Sequence, residues 1–591
     1  MVNFLEDEYL HKLNHSCAHM MAQAVKHLYP NAKFWVGPVI ESGFYYDMDL
    51  GDKVITDSDI EAIEKEMKKI AKDGKKIVRH EVSREEALKE FKDDPYKIDL
   101  INNMPKDEVI STYTQGDYTD LCRGPHVDSV KECKYFKLIK FSGAYWKGDS
   151  NNKMLQRIYG VCFPTKEELD AYLKELEEAK ERDHRKIGKD LEIYMLSDLV
   201  GRGLPMYLPN GYTLWRTLQN YITEKELDHG YVHVHTPDIG SKELYVTSGH
   251  WDHYKDDMFP AMELDGETYV LRPMNCPHHM VMFGSKLHSY RDMPVRIAEI
   301  ANDFRYEAAG AVKGIERTRS FTQNDSHIFC RPDQVEQEFK GVLDLILEVY
   351  KDMHIDVKNC EFRLSLRDKY SKTNKYFDDD EMWDNAENAL RNVMKDINVD
   401  YFEAKDEAAF YGPKLDILIH PAVGNPVALS TIQLDFLLPK RFNLSYIDEN
   451  GEKKTPVVIH RAILGSLDRF IAFYLEETMG HLPLWLAPVE VAVLPVNNNY
   501  HLDYAKKVCD ELHKNKIRYK LYDSDEKLSY RMREVQVKKI PITLVIGDKE
   551  RDSKSVNVRA YGVEEQKEMS LKDFIKYANK KIESKDDKLD F

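Results

Sequence analysis

Between residues 191 and 487, strand-like runs alternate with helical segments, and few of the strand–helix–strand repeats of a parallel sheet are present. The runs are rich in β-branched and aromatic residues and read GYVHVHTP, ETYVLRP, PVRIAEI, SFTQNDSHIF and VVIHRAILG. Strands without regular crossover helices pair more readily as antiparallel neighbours. The pattern therefore predicts an α+β fold, in which an antiparallel sheet carries helices, and disfavours a doubly wound sheet.

The length of 591 residues predicts three or four domains, since one domain averages about 150 residues. Residues 1–160 mix short strands with helices such as SDIEAIEKEMKKIAKDGKK. Residues 161–190 are highly charged with a narrow apolar stripe, which predicts one long connecting helix. Residues 191–487 hold the antiparallel sheet, and residues 488–591 alternate strands and helices like a compact α/β domain.

Composition excludes several classes of protein. No apolar run reaches the roughly 18 residues of a transmembrane helix, and the N-terminus lacks the pattern of a secretory signal. The eight cysteines are scattered, unlike those of a disulfide scaffold, so we expect a cytoplasmic protein with no membrane partner. A net charge of −17 disfavours nucleic-acid binding only in part, because local basic patches can still contact phosphates.

Two histidines in HSCAHMM, His15 and His19, are four residues apart on a predicted helix and share one face. A metal pair or a proton-handling pair has this spacing. The zinc metalloprotease motif needs a glutamate directly after the first histidine, and Ser16 stands there. From the residues alone, a chemical role and simple packing of the helix both remain open.

The segment FRYEAAGAVKGIERTRSFTQNDSHIF, residues 304–329, is predicted to form a strand, a polar loop and a returning strand. The period of two places one set of side chains on one face: Arg317, Arg319, Phe321, Gln323, Asp325 and His327. Arginines suit phosphates and an aromatic ring offers a stacking surface, so this face suits an anionic ligand with a base. The opposite face is polar too, which leaves an exposed hairpin as the alternative.

Three separated motifs resemble those of the class II aminoacyl-tRNA synthetases. FRYE with the later RTRSF resembles motif 2, HRAILGSLDRF resembles motif 3, and GYVHVHTPDI with Pro237 resembles motif 1 at a dimer interface. RPMNCPHHM, FTQNDSHIF and VVIHRAILGS are similar to the threonyl-specific enzymes, and the resemblance runs from about residue 5 to the end. It implies an antiparallel class II catalytic domain, an α+β editing domain and a C-terminal α/β anticodon-binding domain.

The resemblance also implies a site. The implied catalytic zinc ligands are Cys276, His327 and His460. The implied ATP-binding residues are Arg305, Glu307, Arg317, Phe321 and Arg469, with Mg²⁺ accompanying ATP. The implied threonine-binding residues are Gln323, Asp325, Tyr411 and Gln433, and the implied catalytic residues are Arg305, Lys414 and Arg469. Cysteine and two histidines would leave one zinc position open for substrate.

The activity so implied is that of a homodimeric threonine–tRNA ligase. L-threonine would attack ATP, the adenylate would pass its acyl group to tRNA(Thr), and a second site would hydrolyse mischarged seryl-tRNA(Thr). TDLCRGPHV pairs with HSCAHMM in the editing domain shared by threonyl and alanyl enzymes. The implied editing residues are His15, His19, Asp120, Cys122 and His126. We expect a metal-free pocket, with zinc binding by the same groups, as in alanyl relatives, as the alternative.

At the C-terminus, Glu550 and Arg559 match positions implied to read anticodon bases, while Asp525 replaces a usual asparagine. Ala428 stands where many relatives carry a glutamine, so that substrate contact is not expected here. The chain is also expected to lack the small N-terminal TGS domain. Two other functions fit the sequence less well: a free-standing editing hydrolase would leave motifs 2 and 3 unused, and an inactive RNA-binding relative would have lost a zinc ligand or an ATP arginine.

Overall fold

The computed structural model describes residues 2–149, 151–371, 376–397, 399–421 and 426–591. The chain forms two compact units, Met1–Glu178 and Ala179–Phe591. The boundary between them lies inside helix Lys166–Arg182, in the segment predicted to be a linker. In the described ranges, no helix combines the length and the apolar character needed to cross a bilayer.

The N-terminal unit is built around helix Glu8–Leu28, which Asp7 caps through the backbone N–H groups of Tyr9 and Leu10. This helix packs against an antiparallel sheet whose spatial strand order differs from the order in the chain. The helix buries Cys17, Met21 and their apolar neighbours. The strands of the unit are Lys33–Phe34, Val39–Ile40, Gly43–Asp49, Ile77–Val82, Ile110–Gln115, Tyr118–Leu121, Tyr135–Tyr145 and Met154–Phe163. Its other helices are Asp57–Asp73, Arg84–Glu90 and Pro95–Asn103.

The predicted single connecting helix is wrong, because the segment contains two helices, Lys166–Arg182 and His184–Asp190. Asp183 interrupts the helical backbone with φ −58° and ψ 119°, and its side chain accepts a hydrogen bond from the backbone N–H of Arg185. An aspartate that caps a new helix in this way competes with continuation of the previous one.

The second unit is centred on an eight-stranded sheet. In spatial order the strands are Val232–His233, Val295–Phe304, Ser320–Cys330, Val457–Ser466, Val427–Asp435, Lys414–Ile419, Cys360–Leu366 and Tyr401–Lys405. The six central strands are antiparallel, and only the two outermost pairings are parallel. The α+β prediction is therefore confirmed for this part of the chain.

Helices pack against this sheet, and their apolar side chains Leu343, Ile346 and Phe470 are buried in one cluster with Ile417, Ile432 and Ile459 of the strands. The α-helices of this part are Pro209–Asp228, Lys242–Ser248, His250–Tyr254, Cys276–Gly284, Val335–Asp352, Asp380–Ile397, Leu438–Arg441 and Leu467–Glu477. Shorter strands form three small sheets: Tyr194–Met195 with Met206–Tyr207; Ile239–Ser241, Met262–Leu264 and Glu267–Leu271; and His288–Ser289, Tyr446–Ile447 and Lys453–Lys454.

The C-terminal part is α/β, as predicted. Its sheet has the spatial order Tyr519–Leu521, Val491–Pro495, Ile542–Ile546, Ser555–Ala560 and Gln566–Ser570. The first three strands are parallel and the last two pairings are antiparallel. Its helices are Asn498–Lys514, Leu528–Val537, Asp548–Ser553 and Leu571–Ser584. The sequence pattern predicts helices at about residues 501–514 and 528–538, and the structure has them at Asn498–Lys514 and Leu528–Val537.

Candidate active site on the antiparallel sheet

Residues from distant parts of the sequence meet across the central sheet because of its register. His327 pairs with His460 on the next strand, His460 with Gln433, and Gln433 with Lys414. Paired residues of antiparallel strands have side chains on the same face, with Cβ atoms about 4.5–5.5 Å apart. One row across four strands therefore brings these four side chains together, although His327 and His460 are 133 residues apart in the sequence.

This row lies beside a cavity of about 640 Å³. The sequence-predicted residues that line it are Cys276, Arg305, Glu307, Arg317, Phe321, Gln323, Asp325, Tyr411, Lys414, Gln433, His460 and Arg469. Ala428 also lines the cavity. His327 is fully buried and contacts His460 from behind.

The predicted returning strand begins later than the sequence pattern indicated. Arg317 and Arg319 precede strand Ser320–Cys330, because the backbones of Lys313 and Arg317 exchange hydrogen bonds in a turn. The side chain of Arg319 contacts the Glu307 carbonyl and the Tyr306 ring and does not line the cavity. A strand period cannot place residues that belong to a turn.

Three arginines converge on one end of the cavity. The Arg305 guanidinium lies 5.1 Å from the centre of the Phe321 ring, and Arg317 Nη2 lies 2.8 Å from Glu307 Oε2. Arg469 Nε donates to the carbonyl oxygen of Glu316 at 3.2 Å. Burial, with the nearby charge of Arg305, lowers the pKa of Arg469. Crowded cations of this kind favour a bound polyanion, which relieves their mutual repulsion.

The other end of the cavity is formed by carboxylate, amide and phenol groups. The Tyr411 hydroxyl donates to Gln433 Oε1 at 2.6 Å, and Lys414 Nζ lies 2.8 Å from Asp416 Oδ2. Burial raises the pKa of Asp325, an effect that His460 opposes. These groups provide donors and acceptors for a small polar molecule in a largely buried setting.

Cys276, His327 and His460 offer three ligand atoms that lie within 4.8 Å of one another. His327 Nε2 and His460 Nδ1 are 3.0 Å apart, so both inner nitrogens face one point. The outer nitrogen of His460 lies 2.8 Å from Asp435 Oδ2, and that of His327 lies 2.7 Å from His279 Nδ1. Metal-bound histidines characteristically use the outer nitrogen for such a partner, so the donor set fits zinc.

Two buried histidines near this cluster were not found from the sequence. His250 Nε2 lies 3.5 Å from Cys276 Sγ, and its Nδ1 lies 2.8 Å from Ser248 Oγ. His279 lies between His327 and Glu299, with its Nε2 3.1 Å from the Glu299 carboxylate. Histidine is a common metal ligand, so the residue type of His250 and His279 was the one signal in the sequence. Only the folded chain shows that both lie against the Cys–His–His cluster.

The N-terminal unit gathers the second predicted site. Cys122 Sγ lies 3.1 Å from His15 Nε2 and 3.3 Å from His126 Nε2, and these groups cluster with His19. Burial lowers the pKa of His15 to about 4 and also lowers those of His19 and His126. Burial raises the pKa of Cys122 to about 12. The imidazoles and the thiol are therefore neutral near pH 7.

Asp120 lies beside this cluster, as predicted, with partners that the sequence did not reveal. Its Oδ2 lies 3.7 Å from His19 Nε2, and its Oδ1 lies 2.5 Å from Lys97 Nζ. The Tyr46 hydroxyl also donates to Asp120. Lys97 is almost completely buried, and a buried lysine is unusual unless a carboxylate compensates its charge.

The two predicted anticodon residues lie on different elements. Glu550 belongs to helix Asp548–Ser553, where its Oε2 accepts a hydrogen bond from the backbone N–H of Gly547. Arg559 belongs to strand Ser555–Ala560, and its Nε is buried without a hydrogen-bond partner among the described residues. Both side chains are partly exposed, and no described contact joins them.

Comparison with known families defines the class of protein. The tRNA synthetase class II core domain of the G, H, P, S and T enzymes matches residues 260–478. An anticodon binding domain matches residues 490–581, and the second additional domain of threonyl and alanyl tRNA synthetases matches residues 110–159. The fold and the cavity are therefore those of a class II aminoacyl-tRNA synthetase.

Individual relatives narrow the assignment. A threonine–tRNA ligase of Geobacillus sp. (strain WCH70) is 56% identical over 570 residues, covering 96% of this chain and 88% of the relative. One of Staphylococcus epidermidis is 55% identical over 570 residues, with 96% and 88% covered. This chain belongs to the threonine–tRNA ligase family.

Solved structures agree with the family. The RNA binding domain of threonyl-tRNA synthetase from Cryptosporidium parvum Iowa II superimposes with a TM-score of 0.63 at 35% identity, covering 68% of this chain and 98% of that chain. A putative threonyl-tRNA synthetase from Aeropyrum pernix gives a TM-score of 0.61 at 28% identity, with 68% and 96% covered.

Proposed function

We propose that this chain activates L-threonine with ATP, transfers it to tRNA(Thr), and hydrolyses seryl-tRNA(Thr) at a separate site. The observation that carries the first two activities is the cross-strand row from His327 to Lys414. This row brings the Cys–His–His cluster and a polar pocket to the same cavity as three arginines. Family membership supports the same activity.

In the first step, a carboxylate oxygen of threonine attacks the α-phosphorus of ATP, and pyrophosphate leaves with the electrons of the broken P–O bond. Arg305, Arg317 and Arg469 hold the phosphates and offset the charge that develops on them. Mg²⁺, when bound with ATP, would supply further positive charge at the phosphates. The Phe321 ring stacks on adenine and Glu307 accepts from its amino group. Since these groups hold the two reactants in line, positioning supplies much of the rate.

In the second step, a ribose hydroxyl at the 3′ end of tRNA attacks the acyl carbonyl carbon of the adenylate. The ester C–O bond forms, the bond between the carbonyl carbon and the phosphate oxygen of AMP breaks, and the departing phosphate takes up the hydroxyl proton. We propose that the threonine moiety is held during both steps by four residues that line the cavity: Gln323, Asp325, Tyr411 and Gln433. Lys414, held by Asp416, lies at the same end and stabilises negative charge.

Cys276, His327 and His460 would hold one zinc ion per chain. When bound, the ion would supply an open coordination position that selects a substrate with a free amine and hydroxyl. Asp435 and His279 would orient the two imidazoles through their outer nitrogens.

For editing, we propose a metal-free pocket in which water attacks the ester carbonyl of seryl-tRNA and frees serine. The Cys122 thiol lies within hydrogen-bonding distance of the imidazoles of His15 and His126, so it can hold both rings in place beside the pocket. Neutral imidazoles can orient a water molecule and accept its proton. Asp120 positions the imidazole of His19, and Lys97 compensates the negative charge of Asp120.

We further propose that the chain works as a cytoplasmic homodimer, with motif 1 at the interface. Leu227, Val232 and Ile239, which flank Pro237 in the sequence, have exposed apolar side chains, and this exposure supports an interface there. All eight cysteines are free thiols, as expected in a reducing compartment. Glu550 and Arg559 are proposed to contact anticodon bases, which RNA-binding proteins reach in unstacked loops.

The decisive experiment is pyrophosphate exchange measured with each standard amino acid, with metal analysis of the same preparation. We expect exchange with threonine, weak exchange with serine, and none with valine. Hydrolysis of preformed seryl-tRNA without any amino-acid-dependent exchange would instead identify a free-standing editing hydrolase. Absence of both activities would overturn the proposal.

A further inference from the structure

The turn that carries Arg317 rests on a histidine from the segment before the sheet. His184 begins helix His184–Asp190 and is completely buried. A Cβ atom built on Gly314, which has φ +49°, would lie 2.2 Å from His184 Nε2 and 2.9 Å from the Tyr194 hydroxyl. Atoms do not approach this closely, so only glycine fits between the turn and these two side chains.

The same imidazole holds the end of the helix that carries Arg469. His184 Nδ1 donates to Glu476 Oε1 at 2.6 Å, and the backbone N–H of His184 donates to the same oxygen at 3.1 Å. Glu476 belongs to the last turn of helix Leu467–Glu477, on which Arg469 lies. One buried ring therefore contacts both segments that bring these arginines to the cavity.

The turn itself is rigidly connected to the arginines. Lys313 and Arg317 exchange backbone hydrogen bonds of 3.0 and 3.2 Å, and Ile315 is buried in the main core. The carbonyl oxygen of Glu316 accepts the hydrogen bond from Arg469 Nε. A shift of Gly314 would therefore move Arg317 and disturb Arg469 together.

The polar atoms of His184 and Tyr194 that face Gly314 also indicate a positioning role. His184 Nε2 and the Tyr194 hydroxyl are buried and have no hydrogen-bond partner among the described residues. Unsatisfied buried polar atoms cost free energy that an apolar side chain would avoid. The imidazole is required because its Nδ1 bonds to Glu476. Its opposite edge, at Nε2, contacts the turn at Gly314.

We propose that His184 is a positioning residue for ATP binding, which aligns Arg317 with Arg469 by contacting Gly314 and Glu476 at once. The inference rests on the proposed role of these arginines in holding the phosphates of ATP. His184 does not touch the cavity, so its removal weakens ATP binding while threonine binding is preserved.

The test compares single and double variants in threonine-dependent pyrophosphate exchange. His184→Ala should raise the KM for ATP roughly tenfold, the effect of losing one hydrogen bond to a charged group, with the KM for threonine and kcat changed less than about twofold. Gly314→Ala should act in the same direction. The double variant should be no worse than Gly314→Ala alone, because removing the imidazole removes the closest of the clashes, the 2.2 Å approach to His184 Nε2.

Gly310→Ala is the matched control, since a Cβ there meets no atom within 4 Å. It should keep the wild-type KM for ATP. The Kd for ATP, measured by equilibrium dialysis of all variants, provides a readout independent of catalysis. If His184→Ala raises the KM for both substrates equally, or leaves the Kd for ATP unchanged, the positioning role is wrong. Wild-type enzyme without threonine-dependent exchange would refute the proposed function, while the Kd series would still decide about His184.

Discussion

His327 and His460 lie directly opposite each other on antiparallel strands, with His327 Nε2 and His460 Nδ1 3.0 Å apart and Cys276 beside them. If these residues hold zinc, Cys276→Ser should lose the bound metal and threonine activation together, because serine is a poor zinc ligand. Cys360→Ser is the control, since Cys360 lies outside the cluster and should leave both unchanged. Full exchange activity after complete zinc removal would contradict the metal role.

The editing pocket should be separable from activation. A binding site can penalise serine, which lacks one methyl group of threonine, by only about 1–3 kcal/mol, a factor of roughly 10–200. We therefore expect Cys122→Ala, or His15→Ala with His19→Ala, to leave threonine activation near normal and to let seryl-tRNA(Thr) accumulate. Valine should still be rejected, since rejection occurs at the other site.

His27→Ala is the matched control for the editing variants, because His27 lies on the same helix and instead pairs with Glu66 and Asp117. It should clear preformed seryl-tRNA(Thr) at the wild-type rate. If the Cys122 and His15/His19 variants do so as well, the histidines only pack the helix.

Asp468 makes stability depend on pH in a direction opposite to that of most carboxylates. Burial raises its pKa from 3.8 to about 6, although the Thr322 N–H and the Tyr207 hydroxyl donate to it. The folded chain thus binds this proton more tightly than the unfolded chain. The contribution of Asp468 to the free energy of unfolding therefore falls as the pH rises from about 4 to about 6.

Asp468→Asn removes this titration. The free energy of unfolding of the variant, relative to wild type, should increase by up to about 3 kcal/mol between pH 4 and pH 7. Urea unfolding at several pH values measures the difference. A difference that is constant with pH, or that shrinks as the pH rises, would show that Asp468 is ionised in the folded chain throughout.

Arg559 should matter for charging and not for activation. Arg559→Ala is expected to slow aminoacylation of tRNA(Thr) by weakening anticodon contacts, while threonine-dependent exchange stays unchanged. The salt dependence of tRNA binding should also become shallower if Arg559 contacts phosphate as well. Lys580→Ala, an exposed change on helix Leu571–Ser584, is the control. An equal loss of exchange would place Arg559 in another role.

The proposed dimer can be tested at its exposed apolar residues. Val232 is 55% exposed on the first strand of the central sheet, so Val232→Asp should shift sedimentation toward the monomer and reduce exchange. Val54, 65% exposed in the N-terminal unit, gives the control Val54→Asp. A wild-type chain that sediments as a fully active monomer would contradict the dimer.

Much of the fold follows from local patterns. The α/β order of the C-terminal part and the strands Val295–Phe304 and Val457–Ser466 were predicted because apolar periodicity reflects burial directly. Local interruptions of the pattern were not predicted. Asp183 caps a new helix and so divides the expected linker helix, and a hydrogen-bonded turn moves Arg319 off the predicted strand face. Such events depend on one or two hydrogen bonds that a periodic pattern does not contain.

The sequence by itself determined which residues are the candidates for the chemistry, because the motifs around Arg305, Cys276 and His460 are distinctive in residue type and order. Only the tertiary structure decided which of them meet. Strand register places His327, His460, Gln433 and Lys414 in one row, and register is set by pairing between segments far apart in the chain. The same holds for Lys97 beside Asp120, since a buried ion pair between distant residues leaves no periodic trace in the sequence.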